Sequence, residues 1–244
     1  MARGDRSNTA DQIEDKLPRD GHLVWGFAVY RCTYGDDAAW KTCLECLNKS
    51  MRDSMRFYNG LELLEPERFK LTILDDKSQF DGASAQVVRQ HFRDWRSNVV
   101  HREQGSQKEI EARGGSSNFL DYKNSARYRF CIQIDEASLQ SIVSSEGEIR
   151  PDEAWVNSIE ADWDLGAAAA QREEDKIMHV EDGLDPEDFE DEEPVFPEID
   201  GCTEENVGFM RVHFMDLIPE MYHLLGDPDA IDYLYIRPPA LAQT

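Results

Sequence analysis

The sequence predicts an α+β fold: a two-layer sandwich of the ferredoxin-like kind, with a mixed or antiparallel sheet and helices packed mainly on one face. Three observations predict it. Strand-like and helix-like segments alternate along the 244 residues. The strand segments are apolar at every second position, as in Phe130, Ile132 and Ile134 against Arg129, Cys131 and Gln133, which buries one sheet face and leaves the other polar. Two polar insertions interrupt the alternation without destroying it.

Residues 1–21 are polar, lack an apolar period and read as a disordered leader. Leu23–Tyr30 is a first strand. Gly35-Asp36-Asp37 ends it and caps a helix whose Trp40, Leu44, Leu47, Met51 and Met55 recur at steps of three and four. Asn59-Gly60 is its stop signal. Phe69–Leu74 is a second strand. After Asp75-Asp76 and a loop through Asp81-Gly82, the residues Val87, Val88, His91, Phe92 and Trp95 outline a helix ending near Ser97. Residues 101–118 carry one large apolar side chain, Ile110, and the run Gly114-Gly115-Ser116-Ser117, so they read as a mobile inserted loop.

Arg127–Ile134 is a third strand. Asp135-Glu136 opens a short helix with Leu139, Ile142 and Val143, and Trp155–Ile159 is a fourth strand. Ala167–Lys176 suits a short helix. Residues 181–200 hold 11 acids and no Lys or Arg, with Pro186, Pro194 and Pro197 breaking any helix. Phe209–Phe214 is a strand, Leu217, Ile218, Met221, Leu224 and Leu225 outline a helix after Asp216, and Ile231–Ile236 is a last strand ended by Pro238-Pro239. The expected organisation is a leader at 1–21, one α+β domain over 22–239 with mobile insertions at 101–118 and 177–205, and a tail at 240–244.

Charge and composition narrow the function. With 26 Lys+Arg and 50 Asp+Glu the net charge is −24, which opposes binding to nucleic-acid phosphates or anionic membranes and favours basic partners. No run approaches the ~18 apolar residues of a membrane span. The N-terminal residues contain no apolar core of a secretory signal, so an intracellular location, cytoplasmic or nuclear, is expected. Five cysteines without regular spacing are expected to be free thiols in that setting.

No motif commits the chain to a reaction. G-x-S-x-G, Walker A and H-E-x-x-H are absent, and no catalytic residue, metal or cofactor is expected. Cys43-Leu44-Glu45-Cys46 lies several residues inside a helix rather than at its start, so its thiols read as packed apolar groups. Asp75, Asp76, Asp135 and Glu136 at strand ends suit helix capping better than a hard cation. His91, His213 and His223 are scattered and read as structural or surface groups.

Tyr30-Arg31-Cys32-Thr33-Tyr34 with Trp40, Asp81-Gly82-Ala83-Ser84 with Arg89, Phe92 and Trp95, Tyr128-Arg129-Phe130-Cys131, and Asp135-Glu136-Ala137-Ser138-Leu139 together resemble a family of uncharacterised proteins of filamentous fungi. The resemblance covers most of residues 24–163 and, more loosely, the C-terminal strand, and implies an intracellular fungal origin and a single recurring domain. It implies no activity and no catalytic residues.

The expected function is that of a non-enzymatic interaction protein, in which the acidic, aromatic-dotted segment binds a basic protein partner through Glu187, Asp188, Phe189, Glu190, Asp191, Glu192, Glu193 and Phe196. The alternative is an anion-binding protein or enzyme. It would use the polar sheet face, with Lys70, Arg129, Arg211 and His213 beside Thr72 and Gln133, or a pocket between sheet and helices near Asp81 and Trp95. On that face the expected segment 181–200 folds back over Arg129 and Arg211 and competes with the ligand.

Overall fold

Short runs of apolar and β-branched residues build a six-stranded mixed sheet: β1 (Ala28–Arg31), β2 (Thr72–Leu74), β3 (Phe130–Ile134), β4 (Trp155–Glu160), β5 (Phe209–His213) and β6 (Leu241–Ala242). The computed structural model describes residues 8–113, 125–144, 153–166 and 196–242. The strand order is β2-β1-β3-β4-β5-β6. β1 runs parallel to both β2 and β3, β4 is antiparallel to β3 and β5, and β6 is parallel to β5. The edge strands have three and two residues, too short to template pairing with another chain.

The expected α+β class and mixed sheet are present, but the helices lie on both faces. Phe27, Val29, Phe130, Ile132, Val156 and Val212 point into one core with α1 (Thr9–Arg19), α2 (Asp37–Phe57) and α7 (Glu136–Ser144). Ala28, Tyr30, Cys131 and Ile159 point into a second core under α3 (Lys77–Phe80) and α4 (Ala85–Gln104), against Phe80, Ala85, Val88 and Phe92. The crossovers explain this arrangement. β1 leads through α2 to β2 on one side, and β2 leads back across β1 through α4 to β3, so two crossovers of the same hand place their helices on opposite faces. The two-layer, ferredoxin-like expectation rested on polar alternation. In burial that alternation holds only for β5, where Met210 and Val212 are buried and Arg211 and His213 are half-buried.

Three other expectations are corrected. Residues 9–19 of the expected leader form α1. Asn8 and Asp11 build a capping box, and Ala10, Ile13 and Leu17 are buried at three- and four-residue steps. Within 101–118, α4 continues to Gln104 and α5 (Gln107–Ala112) follows a second capping box at Ser106 and Glu109; Ile110 is fully buried. The segment expected as the last strand forms the helix Ala230–Leu234, with Tyr233 and Ile236 exposed, and the sheet instead ends with β6 inside the expected tail.

The four basic residues expected on one polar face do not gather there. Residues Ala126–Arg129 make a helical turn, α6, before β3 begins. Arg129 accordingly turns away to pair with Glu160 at 3.3 Å and to donate to the Asp227 carbonyl at 2.6 Å. Lys70 lies 3.5 Å from Glu103, at the amino end of the parallel strands. Arg211 and His213 remain together on β5, two residues apart and on one face, with His213 3.8 Å from Asp216.

Candidate functional site

The carboxyl ends of β1 and β3 open into a cleft of about 740 Å³. The chain leaves β1 toward β2 and leaves β3 toward β4, so its connections diverge there and leave a crevice between the loops. Open sheets with such a reversal of strand order bind ligands in this crevice. Its walls are Cys32 and Thr33 after β1, Asp81–Ala85 at the start of α4, Asp135–Ala137 at the start of α7, Ile199 and Asp200, and Pro238 and Pro239, and Gln133, Asn157, Phe209 and Arg211 of the sheet complete the lining.

The floor is a row of side chains across the sheet. Strand register pairs Tyr30 with Gln133, and Asn157 pairs with both Gln133 and Arg211. Gln133 and Asn157 are each 4% exposed, so their amides require partners. Gln133 Nε2 donates to the Ala83 carbonyl at 2.8 Å, and Asn157 Nδ2 donates to Asp135 Oδ2 at 2.8 Å and to Gln133 Oε1 at 3.3 Å. These bonds tie the loop before α4 to β3, and β4 to the start of α7.

Carboxylates dominate the rim. Asp135 Oδ1 accepts from the Ser138 amide at 2.8 Å, capping α7, and Glu136 accepts from the Thr33 hydroxyl and from Gln140 Nε2 at 3.0 Å. Asp81 and Asp200 are exposed on the other walls. Arg211 is the cation of the lining. Its guanidinium lies 4.3 Å from the centroid of a Trp155 ring, its Nη1 donates to the Pro239 carbonyl at 3.4 Å, and its Nε is buried without a hydrogen-bond partner. A stacked guanidinium is held rigid and keeps donors for an incoming acceptor.

Of the expected ligand residues, Arg211 therefore lines the cleft, while Lys70 and Arg129 lie elsewhere; Gln133 and Asp81 are in the lining. His213 follows Arg211 along β5, outside the lining. Of the expected partner-binding residues, Phe196 is described, whereas Glu187, Asp188, Phe189, Glu190, Asp191, Glu192 and Glu193 lie outside the described residues. The helix suggested at 167–176 also lies outside them. Asn157 was missed by sequence reasoning, although a lone amide between Val156 and Ile159 in an otherwise buried strand is a detectable signal. Thr33 left no comparable signal.

The remaining candidates resolve into structure. Asp36 accepts from the Ala38 and Ala39 amides at 2.9 Å and Asp76 from the Ser78 amide at 3.0 Å, both as helix caps. Asp75 pairs with Arg31. Cys43 is fully buried in the larger core, where burial pushes its thiol up to about 12, so the C-x-x-C acts as packing. His91 shares a 2.9 Å hydrogen bond with Tyr30 and packs edge-on to Phe80. Among the described residues no group of three or more His, Cys, Asp or Glu side chains could hold a metal ion, and no helix is long and apolar enough to cross a membrane. No protein-family model, curated protein or solved structure matches the chain.

Proposed function

We propose that the protein binds a small basic molecule that also carries an acidic group, a basic amino acid or close analogue, in the cleft at the carboxyl ends of β1 and β3. The observation that carries this reading is the charge of the lining: four carboxylates, Asp81, Asp135, Glu136 and Asp200, against one guanidinium, Arg211. This excess of negative charge, on a chain of net charge −24, draws in an ammonium or guanidinium group. Arg211 offers forked donors to a carboxylate, and the Gln133–Asn157 row keeps the floor rigid between the two charges. The simple anion site expected from the sequence gives way to this reading because Lys70 and Arg129 are committed to other partners.

The expected preference for a basic partner carries over to this cleft. A second reading, that the acidic segment docks a basic protein, draws support from its described end, where Ile199 and Asp200 form one wall of the cleft.

Isothermal titration at low salt with L-arginine, agmatine and citrate tests the first reading. L-Arginine should bind about tenfold more tightly than agmatine, which lacks the carboxylate, and citrate should not bind. Arg211→Ala should abolish the difference between L-arginine and agmatine. Binding of citrate without binding of L-arginine would overturn the proposal.

A further inference from the structure

Between residues 196 and 206 one side chain is buried, Cys202; Pro197, Glu198, Asp200, Gly201, Thr203 and Glu205 are exposed. Apolar burial therefore contributes little to holding this stretch, although it forms a wall of the cleft. The stretch carries a tight turn. Ile199 and Cys202 exchange backbone hydrogen bonds of 3.0 and 2.9 Å, with Asp200 (φ 51°) and Gly201 (φ 81°) at the tip.

Arg237 reaches this stretch from the neighbouring wall, immediately before Pro238-Pro239. Its guanidinium donates to the carbonyls of Glu204 at 2.6 Å, Glu205 at 3.3 Å and Cys202 at 3.5 Å, and also to that of Pro197. It lies 5.0 Å from the centroid of the Phe196 ring. Tyr235 adds a second tie, donating to the Glu205 carbonyl at 2.9 Å and accepting from the Val207 amide at 3.0 Å. The turn so held stands between two cavities. Ile199 and Asp200 line the main cleft. With Cys202 they also line a second cavity of about 310 Å³, which lies beside Arg89 of α4 and Trp163.

We propose that Arg237 is a positioning residue for the cleft: it ties the turn Ile199–Cys202 to the Pro238-Pro239 wall and so holds Asp200 as the partition between the two cavities. This rests on the cleft being the binding site. Arginine suits the task because a planar fork serves several carbonyls at once, whereas a lysine ammonium serves them from a single point.

Thiol alkylation tests the tie in the full chain without any ligand. Cys202 is 5% exposed in the turn, Cys32 is 2% exposed in the cleft, and Cys43 and Cys131 are fully buried in the two cores. Iodoacetamide labelling, read peptide by peptide by mass spectrometry, should rise about tenfold at Cys202 and also rise at Cys32 in Arg237→Ala. Cys43 and Cys131 should stay at wild-type rates, and Arg237→Lys should restore only part of the protection. Unchanged labelling of Cys202, a joint rise at all four thiols, or complete rescue by lysine would each overturn the proposal. Failure of L-arginine to bind the wild-type chain would instead overturn the ligand reading and leave the labelling result to decide the tie.

Discussion

Arg127 shows how much one buried charge organises. Its side chain is 0% exposed, yet all three of its nitrogens donate: Nε and Nη2 meet the two oxygens of Glu103 at 2.7 and 2.8 Å, Nη1 donates to the Lys70 carbonyl at 3.0 Å, and Nη2 also donates to Thr72 at 2.8 Å. Burial alone would push the Glu103 carboxyl up. The Arg127 bonds, the Tyr128 hydroxyl and Lys70 outweigh it and hold that carboxyl below its ordinary value. Arg127→Met should cost about 3–5 kcal/mol in urea unfolding, because it strands Glu103 in the interior. Pairing it with Glu103→Leu should recover much of that loss. Recovery no greater than additivity would mean that the pair is not coupled. Gly208 makes a different demand. With φ 75° it passes so close to Trp163 and Arg89 that an added Cβ would sit 2.3 Å from the Trp163 ring, so the approach to the amino end of β5 requires glycine.

At the scale of elements, α1 is docked by a cluster sensitive to pH. His22, just after the helix, and His223 line a small cavity with Lys16, Asp20 and Tyr222. Burial, reinforced by Lys16 and Arg113 and opposed by Asp20, pushes His22 down to about 4. Burial and Lys16, opposed by Asp227, lower His223. The unfolded chain takes up these protons near the ordinary histidine value of about 6.5, before the folded chain does. Their contribution to stability is therefore complete above that value and is lost as the pH falls toward about 4. The melting temperature should fall on acidification through this window, and His22→Phe should flatten the fall. An unchanged slope in that variant would remove His22 from the account.

Across the whole molecule, the net charge of −24 sets two opposite responses to salt. Self-repulsion of the folded chain is screened as the Debye length shrinks, so the melting temperature should rise between about 20 and 300 mM NaCl. Binding of L-arginine to the carboxylate-lined cleft should weaken over the same range, since the field that attracts it is screened. If both quantities moved in the same direction, long-range charge would not be what drives the ligand into the cleft.

The sequence by itself determined the α+β class, the apolar strand segments, the amphipathic faces of α2 and α4, and the acidic caps at the helix starts. These follow from local spacing and local hydrogen bonding. The capping box at Asn8 and Asp11 before the buried steps of α1 is equally local, but it sits in a stretch whose overall polarity reads as a disordered leader. Tertiary structure decided which sheet face lay under which helix. Ala28, Tyr30 and Cys131 are small or amphipathic enough to face either water or α4, and the crossover path chose α4. It also decided the site. Arg129 and Arg211 occupy equivalent places in the alternation of their strands, yet a helical turn before β3 sends one to Asp227 and straight strand geometry leaves the other over the cleft. The Ile231–Ile236 segment, rich in strand formers, instead holds the helix Ala230–Leu234 and leads into a tie through Tyr235 and Arg237, whose donors go to the Glu204 and Glu205 carbonyls, and among the described residues no strand pairs with it.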